Sequence, residues 1–271
     1  MKPAYRVVSG LGLALFSLLT QAQSLMLSPG TVVLSDQQRA AAILVGTTGD
    51  RLTTFEVSNS FFVQQPDGLL VAADPASSEG TAVEFVRVGP RRFVAEPGRG
   101  QQVRVAARPP RDLPPGEYRM HLTVASVGDS DATPSESVTT ETDNGIKVVI
   151  PVRVARAVRI LYRHQVEPQG GDLEALRRQR KGRDAVIDFT VIRKGQTSLI
   201  AETEILAMSS LGTVLSRWPG PAISLYTEND RRHFSAHVPA NEVPNNASLC
   251  VRLSVTDEMV HDVTAVTRCA D

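Results

Sequence analysis

The chain has 271 residues, with 29 Lys and Arg against 29 Asp and Glu, a formal charge of zero, and 42% hydrophobic residues. Balanced charge leaves no global field to attract nucleic acid or anionic lipid, so partners are expected to be recognised by shape and local chemistry. The length suits one large domain or two ordinary ones, and the apolar share is enough to fill their cores.

The N-terminus reads as an export signal. Lys2 and Arg6 form a positive segment, Leu11 to Leu19 an apolar one, and Thr20-Gln21-Ala22 offers small residues to a signal peptidase. Residues 1–22 are therefore expected to be removed. A membrane anchor is the alternative, but Ser9, Gly10, Gly12 and Ser17 interrupt the apolar run, which falls short of the ~20 residues a span needs. No later segment has the length for a span, so no direct membrane insertion is expected. The only cysteines are Cys250 and Cys269, and an even number in an exported chain reads as a disulfide.

Beyond the signal the chain alternates like strands. Ser24 to Ser35, Arg39 to Val45, Arg51 to Val63, Thr81 to Val88, Gln101 to Ala107, Glu117 to Ala125 and Gly145 to Arg163 carry Val, Ile, Thr and Phe at many alternate positions. Turn punctuation such as Pro66-Asp67-Gly68, Glu96-Pro97-Gly98 and Pro114-Pro115-Gly116 separates them. Seven such segments predict an immunoglobulin-like sandwich. Ser126 to Asn144 is polar, acidic and reads as a flexible connection.

After His164 the pattern restarts with Ala185 to Ile192, Ser198 to Met208, Gly212 to Ser216, Ala222 to Tyr226, Arg232 to Val238, Ala247 to Val255 and Asp262 to Cys269. The fold class is thus all-β: two immunoglobulin-like sandwiches in tandem, residues 23–162 and 163–271, at an angle with a cleft between them. A turn around Glu258 to Val260 would set Cys250 opposite Cys269 in a terminal hairpin. Asp172 to Arg180, short and basic, is expected to be a loop or a single helical turn.

No enzyme pattern stands out, and no cofactor is implied. The five histidines are at 121, 164, 233, 237 and 261, without HExxH, CxxC, GxSxG or a phosphate loop. His233 and His237 would stand ~13 Å apart on a strand, too far for one metal ion. Carboxylate pairs Asp184 and Asp188, and Glu202 and Glu204, have the same strand spacing and read as solvated. The basic run Arg177 to Arg183 lacks interleaved aromatics, so it reads as a solvated loop and no nucleic-acid partner is expected.

The most informative segment is Gly145 to Arg163. Ile146, Val148, Ile150, Val152 and Val154 share one face, Pro151 favours a sheet edge, and Arg153, Arg156 and Arg159 add charge. A long apolar edge invites pairing with another chain. The other reading is an ordinary core strand of its own sandwich.

Together with Ser24 to Leu34, Ala42 to Asp50, Pro90 to Gly98, Gln102 to Val105, Leu113 to Arg119 and Arg159 to Arg163, this segment resembles the periplasmic chaperones of the chaperone–usher pilus pathway. The resemblance covers the first domain; the second matches only in size and strand content. It implies that the chain binds pilin or fimbrial subunits, whose folds lack a strand, by lending its own edge strand, and delivers them to an outer-membrane usher. The lent residues would be Ile150, Val152 and Val154, with Val148 a fourth. The family holds the subunit's terminal carboxylate with two basic residues. Arg159 matches one, and Thr31 stands where the other is expected. Thr31 could donate a hydrogen bond, Arg156 could substitute, or the clamp is altered. Glu117 and Arg163 fall where the family has a structural ion pair. Long apolar edges also make a self-capping homodimer conceivable. The alternative function is an exported structural or adhesive protein that binds through loops.

Overall fold

The structure, a computed structural model, describes residues 24–48, 52–127, 137–141, 147–151, 153–257 and 265–270. The signal segment, Val152 and the expected turn at 258–260 lie outside them. Strands dominate the chain, and they form two sandwiches with separate cores.

The first sandwich has a four-stranded sheet in the order β1 (Ser24–Ser28), β3 (Ala40–Thr48), β8 (Gln101–Ala107), β6 (Val86–Gly89). Against it packs a sheet in the order β2 (Thr31–Ser35), β12 (Ala155–His164), β9 (Gly116–Val127), β4 (Thr53–Gln64), β5 (Leu70–Ala73), with β7 (Arg92–Ala95) also on β4. The chain crosses from one sheet to the other between β1 and β2. Alternation explains the packing: even positions of β12 and β9 turn inward, and Val158, Ile160, Tyr162, Met120, Leu122 and Val124 are buried against Ile43, Val103 and Val105. Burying such side chains contributes ~1.5 to 3 kcal/mol each.

In the second sandwich, β13 (Gly171–Lys181), β14 (Asp184–Arg193) and β18 (Arg231–Pro239) form one sheet. The other runs β16 (Val214–Pro219), β15 (Leu199–Met208), β19 (Ser248–Val255), β20 (Ala265–Cys269), with β17 (Ile223–Leu225) also on β15. Ile187, Phe189, Val191, Ile205, Leu225 and Val251 lie in its core. Cys250 and Cys269 are register partners on β19 and β20 and form a disulfide.

Four sequence expectations are corrected. Asp172 to Arg180 is neither loop nor helical turn: it lies in β13, paired with β14 on both sides of a bulge between Glu174 and Arg177. Consecutive polar residues hide a strand whose backbone is fixed by its partner rather than by its own alternation. The basic run therefore stands on a β-ribbon and its turn, although it is solvated as expected. The stretch Ser126 to Asn144 is not all connection, because β9 runs on to Val127 and β10 (Ser137–Glu141) pairs β11 (Lys147–Pro151). Finally, Gly145 to Arg163 is not one edge strand: β11 and β12 are distinct, and the C-terminal half of β12 lies inside the sheet. Parallel pairing to β2 covers Arg159 to Arg163, while β9 pairs the whole of β12.

Candidate functional site

Two features converge on β12. The first is backbone. On the side away from β9 and β10, β11 and the Ala155 to Val158 half of β12 have no strand partner among the described residues. Val148 and Ile150 occupy alternate positions of β11, opposite Thr140 and Val138. Val154 is half-buried and packs against the first core. In the sequence Val148, Ile150 and Val154 share the even parity of the buried residues of β12.

The second feature is a cleft of about 430 Å³ between the sandwiches, lined by Gly30, Gln64, Arg159, Ser224, Tyr226 and Arg232 among others. Odd positions of β12 and β9 face the second sandwich. Arg159 therefore leaves the core and donates to Ser224 Oγ, with its guanidinium 5.9 Å from the Tyr226 ring centroid. No carboxylate pairs with it among the described residues. Arg232 enters the same cleft from β18. It also lacks a carboxylate there, and its buried Nε has no hydrogen-bond partner. Its guanidinium lies on the β4–β5 turn at Gly68, where a Cβ would stand 1.9 Å from Arg232 Cζ. Gly68 also has φ +90°, so this turn requires glycine twice over.

Arg119 lies against Tyr226, one of the residues that line the cleft. It is buried, donates to Glu228 and to the Phe62 carbonyl at 2.8 Å, and lies 4.0 Å from the Tyr226 ring centroid. His121 sits beside it with Nδ1 unpartnered and Nε2 3.5 Å from the Tyr226 hydroxyl. Burial, then the positive charges of Arg119 and Arg159, hold its pKa down at about 4. Gln64 joins the sandwiches by donating to the Ser224 carbonyl at 2.9 Å and accepting from Tyr226 N–H at 3.0 Å.

Thr31 is the register neighbour of Arg159 but lines a different recess, with Ile200, Thr256 and Asp257. Arg156 does not stand in for it: its guanidinium donates to the Leu25 carbonyl of β1, on the other face of the strand. Glu117 and Arg163 meet at 3.0 Å, both buried. They are not a simple pair, since Arg163 also binds Asp257 at 2.9 Å and Glu117 accepts from Ser198 N–H at 3.0 Å. Burial alone would lower the Arg163 pKa, but hydrogen bonding and charge from Asp257 and Glu117 outweigh it and raise the pKa. His233 and His237 sit on β18 opposite Thr190 and Val186, facing Asp188 and Asp184 at 3.8 and 3.5 Å.

Sequence reading missed Arg232, Asp257, Ser224 and Tyr226. The legible signal was Glu117, Arg119 and His121 at alternate positions, a polar face too charged for a sheet with nothing packed on it.

No family model matches the chain, and no curated protein matches it. Among solved structures, it is similar to the E. coli chaperone DraB, with 12% identity and a TM-score of 0.45 over 90% of this chain and 97% of that one. It is similar to the Pseudomonas aeruginosa CupB2 chaperone, with 12% identity and a TM-score of 0.44 over 90% and 99%. A third likeness is the periplasmic chaperone SfaE, with 11% identity and a TM-score of 0.44 over 90% and 98%.

Proposed function

We propose that this chain is a periplasmic chaperone that binds pilin-type subunits by lending them the open edge of β11 and the start of β12, and passes them to an outer-membrane usher. The observation that supports the reading is that edge, without a strand partner among the described residues and with apolar residues at alternate positions of β11. A subunit lacking a strand offers the complement: an unpaired edge for the backbone and a groove for Val148, Ile150 and Val152. Val154, already packed on its own core, marks where lending gives way to support. The disulfide between Cys250 and Cys269 fits an oxidising compartment.

The subunit's terminal carboxylate is assigned to the cleft, held by Arg159 from the first sandwich and Arg232 from the second. Two guanidiniums without a carboxylate of their own suit an anion. Arg232 thereby fills the role that position 31 leaves vacant. Unliganded chain would be expected to cap its open edge against a second copy.

The test is co-expression in a periplasm with a pilin subunit encoded beside this chain. Ile150→Asp with Val152→Asp abolishes co-purification while the variant keeps its far-UV spectrum and Tm. Undiminished co-purification would refute strand lending and favour the adhesive, loop-binding alternative.

A further inference from the structure

The first sandwich and the cleft leave unused the basic ribbon of the second. Arg177, Arg178, Arg180, Lys181 and Arg183 crowd the tip of β13 and its turn to β14, all exposed. None has a carboxylate within salt-bridge distance among the described residues, whereas Arg92, Arg99, Arg193, Lys194, Arg217, Arg252 and Arg268 all do. Register divides the cluster. Arg177 and Lys181 stand opposite Asp188 and Asp184, on the outer face of the sheet. Arg178 and Arg180 stand opposite Ile187 and Ala185, both buried, and so emerge on the core-facing side beyond the end of the core.

There they line a recess of about 500 Å³, closed on the far side by the segment from Ala240 to Ala247. Its other walls are Gln179, Asn245 and Asn246 with the apolar Val243 and Pro244, and none of the lining residues is acidic. Arg178 is oriented by donating to the Ala247 carbonyl at 3.1 Å. The acids nearby are occupied elsewhere: Glu242 accepts from the Trp218 indole at 3.0 Å, and Asp188 accepts from Gln179 and Ser235 on the outer face. β13 is also at the edge of its sheet, with β14 as its one strand partner among the described residues.

We propose that this recess binds the carboxylates of an extended, acidic polypeptide segment, with Arg178 and Arg180 as its paired cationic contacts. Guanidiniums present forked donors that match carboxylates. Val243 and Pro244 supply apolar contact for the intervening side chains, and the Asn245 and Asn246 amides add polar contacts. A flat anionic membrane fits less well, because Asp184 and Asp188 share the ribbon and would face it. Nucleic acid fits less well still, because no aromatic side chain lines the recess for a base to stack on.

The probe is a fluorescein-labelled peptide of alternating glutamate and valine, followed by anisotropy on the full mature chain, with the glutamine–valine peptide as control. The acidic peptide binds saturably and more weakly as salt rises. Arg178→Ser and Arg180→Ser each weaken it roughly tenfold, as expected for loss of a charge-assisted contact. Arg104→Ser, on the exposed face of β8, leaves it unchanged. The Arg180 side chain, exposed, has no hydrogen-bond partner among the described residues, so its variant stands even if Arg178→Ser proves unstable. Equal binding of the glutamine peptide, equal loss with Arg104→Ser, or Arg180-dependent binding only to vesicles containing anionic phospholipid would each overturn the proposal.

Discussion

Arg163 and Asp257, 94 residues apart, meet at 2.9 Å between guanidinium Nη1 and carboxylate Oδ1, joining a core strand of the first sandwich to the segment that follows β19 in the second. Glu117 and Ser198 complete a buried cluster across the same junction. Breaking a buried ion pair leaves charge without compensation, which costs about 3–5 kcal/mol. Arg163→Met removes the cation that Glu117 and Asp257 share. Chemical denaturation should show a loss in that range, and an unchanged midpoint would mean the cluster adds nothing to the junction.

His121 makes stability depend on pH. The unfolded chain takes up its proton near ~6.5, whereas the folded chain takes it up only at about 4. Stability from this residue is therefore complete above ~6.5 and declines as pH falls toward about 4. The whole effect is on the order of 3 kcal/mol. Urea midpoints between those limits should fall for the wild-type chain, and His121→Phe, a ring suited to the contacts with Phe62 and Tyr226, should remove that component.

Gly68→Ala tests the reach of Arg232 across the cleft. The added methyl meets the guanidinium, and the backbone at φ +90° resists a Cβ. Arg232 can swing away, so backbone strain dominates the loss, about 1–2 kcal/mol. The variant should also weaken the subunit complex about as much as Arg232→Ala does, because either change removes the same cation from the cleft. A Gly68→Ala chain with full affinity would take Arg232 out of the site.

The disulfide closes a loop of sequence separation 19 and ties β20 to β19. Chain-entropy reasoning gives about 3 kcal/mol for a loop of this size. Cys250→Ala with Cys269→Ser should lower the melting temperature, and the loss should centre on the second sandwich, seen as faster amide exchange in β19.

Much of this architecture can be read from alternation. β3, β8 and β18 follow the expected segments, and Cys250 faces Cys269 across the β19–β20 pair as expected. β13 escaped because its tip has no apolar face at all; its partner β14 holds it extended. The Glu117–Arg163 pair is expected from the sequence resemblance, but Asp257 carries no local sign of joining it. Arg232 was equally hidden. The turn at Gly68 is plain in the sequence, while the reason for its glycine lies on the other sandwich, 164 residues away in the chain if counted to Arg232. Beyond the polar face of Glu117, Arg119 and His121, the contacts between domains leave no periodic trace, so the partners of that face emerge only when both sandwiches are in place.

The central claim is that β11 and the start of β12 supply the lent backbone. Hydrogen–deuterium exchange, comparing the free chain with its subunit complex, measures this directly. The account predicts strong new protection of amides between Lys147 and Val158, with the β13 tip unaffected. Protection confined to loops elsewhere, with that stretch exchanging as in the free chain, would contradict it.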